Sequence, residues 1–281
     1  MPYLERKGKP RLYYEEDDFS DPWRNTPVLI LQHGFGRSSR FWYSWVPYLS
    51  RFYKVVRPDL RGLGQSSLDF DLQRNFTVDV LMEDLIAIFD KLGADSVHYC
   101  GESFGGLLGM VLAAERPHRI RTLSLVSAPV YISEQSKKMF AFGYSSWQDA
   151  MRKMGLKSYA EAVNSAARFP QETDPGLLRW FTEEWSKSNI EVVVAMSHLA
   201  SQVNVTPHLS RIKAPVLGLY PTSGTLTGQE QEELLRSHVQ NFKVVHLASR
   251  YHTIQNIAPA SCAKQVLHFA SQYDGVSCHE L

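Results

Sequence analysis

The sequence predicts an α/β fold, a doubly wound and mostly parallel sheet interrupted by one inserted helical segment. Three observations predict it. Short apolar, β-branched runs recur along the chain, helical patterns separate them, and the alternation lapses over one long stretch. Strands covered on both faces read as near-continuous apolar runs, as the centre of a parallel sheet requires.

The runs are "PVLILQHG" (27–34), "YKVVRPD" (53–59), "SVHYCGES" (96–103), "RTLSLVS" (121–127), "PVLGLY" (215–220) and "FKVVHLA" (242–248), with "RLYYEEDD" near the start as an edge strand. Each is short and β-branched, which favours strand over helix. Between them, "DVLMEDLIAIFDKLG" places Leu81, Leu85, Ile88 and Leu92 on one side of a helix that closes on Lys91 and Gly93. Strands alternating with such helices wind into a layered sheet. From Ile132 to Ile212 there is no clear strand, only helical stretches such as "SYAEAVNSAARF" and "IEVVVAMSHLASQV". The sequence therefore divides into a core of residues 1–131 and 213–281 and a helical insertion, a candidate lid, of residues 132–212.

Composition narrows the function classes. The 281 residues carry 30 basic and 29 acidic side chains, a formal net charge of +1, and the two signs are interspersed. That gives no footprint for nucleic acid or an anionic membrane and favours a neutral substrate. Cys100, Cys262 and Cys278 form no C-x-x-C pair, which fits a reducing, cytoplasmic setting. No stretch reaches signal-peptide or membrane-span character, so a soluble protein is expected. Neither metal-ligand spacing nor a phosphate-binding or dinucleotide glycine motif is present, and no cofactor is expected.

The strongest chemical motif is "GESFGG", Gly101 to Gly106, which follows the strand "SVHYC" and precedes a helical pattern. A serine on a strand-to-helix turn sits on a strained backbone that needs small neighbours, with its Oγ above the sheet and free helix N–H groups beside it. Ser103 is the candidate nucleophile. A serine hydroxyl needs a base, and His252, just after the last strand, is the histidine that strand order brings to the same sheet edge. Apart from His33, the other histidines fall within strands, on or just after helices, in the insertion or in the tail.

"LQHGFG" after an early strand, "RPDLRGLGQSS" after the next, "GESFGG" at the turn and a late histidine together resemble the α/β-hydrolase superfamily, in particular its cap-containing esterases and lactonases. The resemblance covers nearly the whole chain from about residue 27. It implies an oxyanion hole from the backbone N–H groups of Phe35 and Phe104, with His33 shaping that loop and Asp59 forming a turn. It also implies an acid after the strand that follows the cap, where this chain has Gly224. Some relatives take the acid from the end of the preceding strand instead, and there the residue is Ser127.

The third catalytic position is thus open. Glu134 and Glu230 lie near the two empty positions, yet each also suits a helix start: Ser133-Glu134 by charge, and Thr227-Gly228-Gln229-Glu230 as a capping box. Glu102 adjoins the nucleophile, but adjacent side chains on such a turn are expected to diverge. A serine–histidine dyad, oriented by Ser127 or a backbone carbonyl, is the second solution. The pocket is expected to be apolar, with Trp42, Trp147, Trp180 and Trp185 beside Phe35, Phe104 and Tyr43, suiting a hydrophobic aromatic or macrocyclic substrate. The expected function is hydrolysis of a neutral hydrophobic ester or lactone. The alternatives are a cofactor-free lyase, C–C hydrolase or oxygenase with His252 as base, and a non-catalytic binding protein.

Overall fold

The computed structural model describes residues 3–224, 226–276 and 278. Eight strands form one sheet: β1 (Tyr3–Leu4), β2 (Leu12–Asp17), β3 (Val28–Gln32), β4 (Lys54–Pro58), β5 (Val97–Glu102), β6 (Ile120–Val126), β7 (Val216–Pro221) and β8 (Phe242–Leu247), in the spatial order β1-β2-β4-β3-β5-β6-β7-β8. From β4 to β8 every neighbouring pair is parallel, while β1 and β2 join antiparallel at one end. Each apolar run of the sequence is a strand. The expected edge strand, β2, lies one place in from the edge, because Tyr3 and Leu4 pair with Tyr13 and Leu12 outside it.

Alternate residues of a strand face opposite sides of the sheet, and the central strands bury both. Val28 and Ile30 of β3 join one hydrophobic cluster while Leu29 and Leu31 join the other. In β7, Val216 goes with the first and Leu217 and Leu219 with the second. Burying one such side chain contributes about 1.5–3 kcal/mol, which is why the period-2 pattern fixes the strand registers.

Helices cover both faces: α1 (Val46–Leu49), α2 (Leu72–Asn75), α3 (Val78–Lys91) and α4 (Phe104–Glu115) precede the insertion. In α3, Thr77 accepts the Val80 N–H and Gly93, at φ 67°, follows the helix end. Every residue of α4 from Phe104 to Ala114 is buried, as befits a helix apolar all round. Between β6 and β7 come α5 (Glu134–Ala141), α6 (Trp147–Met154), α7 (Leu156–Val163), α8 (Pro175–Ser186) and α9 (Ile190–Gln202), and a π-helical turn, Asn164–Arg168, extends α7. Ser133, Ser146, Asp174 and Asn189 cap the starts of α5, α6, α8 and α9 by accepting first-turn N–H groups. Such caps stabilise a helix by about 1 kcal/mol each, so this segment carries its own start signals. The chain then closes with α10 (Gln229–His238), α11 (Ile254–Ile257) and α12 (Pro259–Ser271).

The loop "RPDLRG" is tied to α3 by a buried ion pair. Arg61 grips Asp84 with both arms, Nε to Oδ2 at 2.6 Å and Nη2 to Oδ1 at 2.8 Å, and Arg6 reaches the same carboxylate. Removing one partner of such a pair strands a buried charge. Asp84→Ala is therefore expected to lower stability by about 3–5 kcal/mol, read as a shift in the urea unfolding midpoint.

Candidate active site

Glu102 ends β5 and Phe104 begins α4, so Ser103 alone must turn the chain. It does so at φ 52° and ψ −116°, a backbone state that costs a non-glycine residue roughly 1–3 kcal/mol. The turn is held because the Ser103 N–H donates to Val126 O of β6 at 2.9 Å, and Ser103 O accepts from Gly106 and Leu107. A Cβ on Gly101 would come within 2.4 Å of Gly105 O. That close approach explains the glycine before the turn.

His252 follows β8 and is tied to the insertion by its backbone. Its N–H donates to Ala167 O at 3.0 Å, and the neighbouring Thr253 hydroxyl donates to Arg168 O. Ser103 and His252 line one cavity together with Phe35, Phe104 and Trp147, and with two arginines, Arg37 and Arg168. The proposed oxyanion donors, Phe35 and Phe104, thus flank the same space as the serine. The indole N–H of Trp185 donates to Phe35 O at 3.0 Å, fixing that loop.

The carboxylate that reaches His252 is Glu102. Its Oε1 lies 3.5 Å from His252 Nε2, and its Oε2 lies 2.7 Å from Arg37 Nη1; all three side chains are buried. As expected of adjacent side chains on such a turn, Glu102 does not line the cavity with Ser103; it stands behind His252 and Arg37, which do. Room for it comes from Gly34, where a Cβ would sit 2.2 Å from Glu102 Oε2. The available signal was a charge pair split between two motifs, the arginine of "HGFGR" and the glutamate of "GESFGG".

The acids weighed from sequence are placed elsewhere. Glu134 is exposed in the first turn of α5, with Lys137 Nζ at 2.7 Å. Glu230 is exposed in α10 and accepts from the Tyr131 hydroxyl at 2.9 Å. The expected capping box does not form either: Gly228 is the N-cap, without a side-chain bond, and Gln231 instead accepts the Val130 N–H. Ser127 is fully buried at φ 47°, its N–H bonded to Leu219 O and its Oγ without a partner among the described residues. None of the three lines the cavity with Ser103. Gly224 lines a separate groove of about 440 Å³ beside Tyr220, Gln231 and His246.

Of the four tryptophans expected around the pocket, Trp147 alone lines it. Trp42 belongs to the cluster on the other sheet face, edge-on to Trp45 at 4.8 Å. Trp180 packs on Phe41 and Tyr43 and borders an open surface groove, and Trp185 stands behind the wall, stacked on Tyr159. The pattern of large apolar residues could not separate wall from core, since both demand the same residue types. The cavity volume is about 30 Å³, far less than a small-molecule pocket.

The apolar pocket expected from sequence also carries charge at its wall, from Arg37 and Arg168. Whole-chain charge balance says nothing about a buried site, and here two guanidinium groups face one carboxylate. Burial holds the His252 imidazole well below its usual range, and Arg37 and Arg168 push it the same way. Burial raises the Glu102 carboxyl while the two arginines oppose that shift. Arg168 is pushed down to about 9 by burial and by Arg37. His33, in contrast, is fixed as a neutral scaffold: Nε2 accepts the Leu60 N–H, Nδ1 donates to Gly34 O, and burial pushes it down to about 4. Asp59 accepts the N–H groups of Ser39 and Gln65, which suits a turn-forming role.

Among the described residues there is no group of three or more His, Cys, Asp or Glu side chains placed to hold a metal ion, and no helix long and apolar enough to cross a membrane. The lowered His252 has a direct readout. In a histidine-selective NMR titration its imidazole should stay neutral from pH 7 down through pH 6.5, the pH at which an ordinary histidine is half protonated, and should gain its proton only at more acidic pH.

The sequence profile of the α/β-hydrolase fold matches residues 27–157. The chain is 25% identical to a strigolactone esterase of Arabidopsis thaliana over 242 residues, covering 84% of this chain and 90% of that one. It is 26% identical to a 3-oxoadipate enol-lactonase of Acinetobacter baylyi over 228 residues, 76% of this chain and 77% of the other. In three dimensions it superposes on an enol-lactonase of Burkholderia xenovorans with a TM-score of 0.84 at 23% identity, covering 96% of this chain and 100% of that chain.

Proposed function

We propose that the chain, which shares the α/β-hydrolase fold, is a serine hydrolase of carboxylic esters or lactones, with Ser103 as nucleophile and His252 as base. The observation that carries this reading is the convergence of the strained Ser103 turn and the buried His252 on one cavity. The names of the esterase and enol-lactonase relatives support the same reaction class.

Ser103 Oγ attacks the carbonyl carbon while His252 takes its proton, which a neutral imidazole is free to accept. Negative charge then develops on the carbonyl oxygen. The amides of Phe35 and Phe104 meet it, a service worth about 2.7–4 kcal/mol for each donor. The imidazolium returns its proton to the leaving oxygen, and water repeats the sequence on the acyl-enzyme. Glu102 takes the acid's place beside His252. At ion-pair distance, and with its charge shared with Arg37, it orients and stabilises the imidazolium less than a dedicated, tightly bonded aspartate would.

The insertion, residues 132–212, acts as a cap whose closed form excludes water from the reaction. A small-molecule pocket needs about 300–1,000 Å³, so substrate entry requires the insertion or the wall side chains to move. The apolar lining, with Phe35, Phe140 and Trp147, fits a hydrophobic substrate body.

A fluorophosphonate probe should label the wild-type protein at Ser103, and Ser103→Ala should lose labelling and at least about 10³-fold in ester turnover. Retained turnover in that variant, with loss in His252→Ala, would move the reading to a histidine-base reaction such as C–C cleavage. Glu102→Gln should reduce kcat by less than the roughly 10⁴-fold that follows loss of a tightly bonded triad acid. A loss as large as that would make Glu102 a full triad member.

A further inference from the structure

Four arginines are buried among the described residues: Arg37, Arg57, Arg61 and Arg168. Three are neutralised, Arg37 by Glu102, Arg57 by Asp17 and Glu15, and Arg61 by Asp84. Arg168 has no carboxylate within ion-pair range among the described residues. Its Nη1 donates to Asn164 Oδ1 at 3.3 Å, and its guanidinium lies 5.7 Å from the ring centres of both Phe181 and Trp185. Taking a cation out of water costs several kcal/mol unless a counter-charge is supplied, and one amide oxygen with two ring faces is partial compensation only.

Arg168 is nonetheless held in place. Asn164 also donates to the Thr182 hydroxyl at 3.0 Å, Arg168 O accepts from Thr253, and the segment is a π-helical turn, a distortion frequently found at functional sites. The side chain lines the same cavity as Ser103 and His252. With Glu102 already engaged by Arg37, the cavity keeps one positive charge in excess.

Building on the serine-hydrolase reading, we infer that Arg168 is a substrate-binding residue and that the substrate is a half-acid: a hydrophobic ester or lactone that carries a second, free carboxylate. That carboxylate pairs with Arg168 while the ester carbonyl lies at Ser103. A planar guanidinium suits a carboxylate, to which it can offer two parallel N–H donors. The apolar walls accept the carbon chain or ring between the two ends.

The test is calorimetric titration of the whole protein with phenylacetate and with its neutral isostere phenylacetamide, repeated on Arg168→Gln and Arg168→Lys, with fluorophosphonate labelling of Ser103 followed in parallel. Wild type should bind phenylacetate about 10- to 100-fold more tightly than the amide, in line with a charge-assisted hydrogen-bonded pair. Arg168→Gln should lose this discrimination and Arg168→Lys should retain part of it. Equal binding of acid and amide by wild type, no binding of either, or undiminished discrimination in Arg168→Gln would overturn the inference. Because the wild-type comparison needs no variant, a folding defect in Arg168→Gln leaves the question decidable. Normal labelling of Ser103 with no preference for the acid would remove the anion site and leave the serine-hydrolase reading intact. Acid-selective binding without labelling would remove the hydrolase reading instead.

Discussion

The buried pair of Arg37 and Glu102 is the constraint around which the site is arranged. A carboxylate next to the one-residue turn at Ser103 has no water to solvate it, so it needs a fixed counter-charge, and Arg37 supplies it at 2.7 Å. That pairing fixes where the loop "HGFGR" must lie. It also dictates Gly34, whose missing side chain leaves the space that Glu102 Oε2 fills. The same loop brings Phe35 to the cavity and is pinned by Trp185, so one ion pair links the elbow, the proposed oxyanion loop and the insertion.

Its electrostatic consequences extend to His252 and Arg168. Glu102 answers Arg37, yet burial holds the imidazole in its neutral form and both arginines push it the same way. A base kept neutral by burial and by nearby cations is ready to take a proton but gains less from its acidic neighbour once charged. Local structure follows the same logic: the π-helical turn places Arg168, and its backbone carbonyls bind His252 and Thr253, so motion of the insertion is coupled mechanically to the proposed base. Packing provides the rigid counterpart. The wholly buried α4 and the two-sided core strands hold the Ser103 turn in a conformation that it would not keep alone.

Much of the architecture was legible from residue pattern. Apolar runs such as "PVLILQ" and "PVLGLY" became β3 and β7 because burial of both faces leaves no other arrangement, and the helix over Val78–Lys91 was readable from its 3.6-residue period and its end signals. That Ser103 and His252 would come to one cavity was readable from the turn motif and strand order. The outer strand was not: Tyr3–Leu4 is two residues long and has no periodicity to detect. Nor could pattern sort the tryptophans. Trp42 and Trp147 are both large and apolar, and only the layer in which each falls separates core from cavity wall.

By itself, then, the sequence determined the sheet, the inserted helices, the turn at Ser103 and the lack of a carboxylate at Gly224 and Ser127, since each depends on local pattern or on strand order. Tertiary structure alone decided that Glu102 faces His252, that Arg37 neutralises it and that Arg168 stands in the same cavity without a carboxylate partner. Those relations join residues from three distant stretches of chain. Coulombic and desolvation energies depend on distances through space and on exclusion of water, and neither quantity is written in the spacing of residues along a sequence.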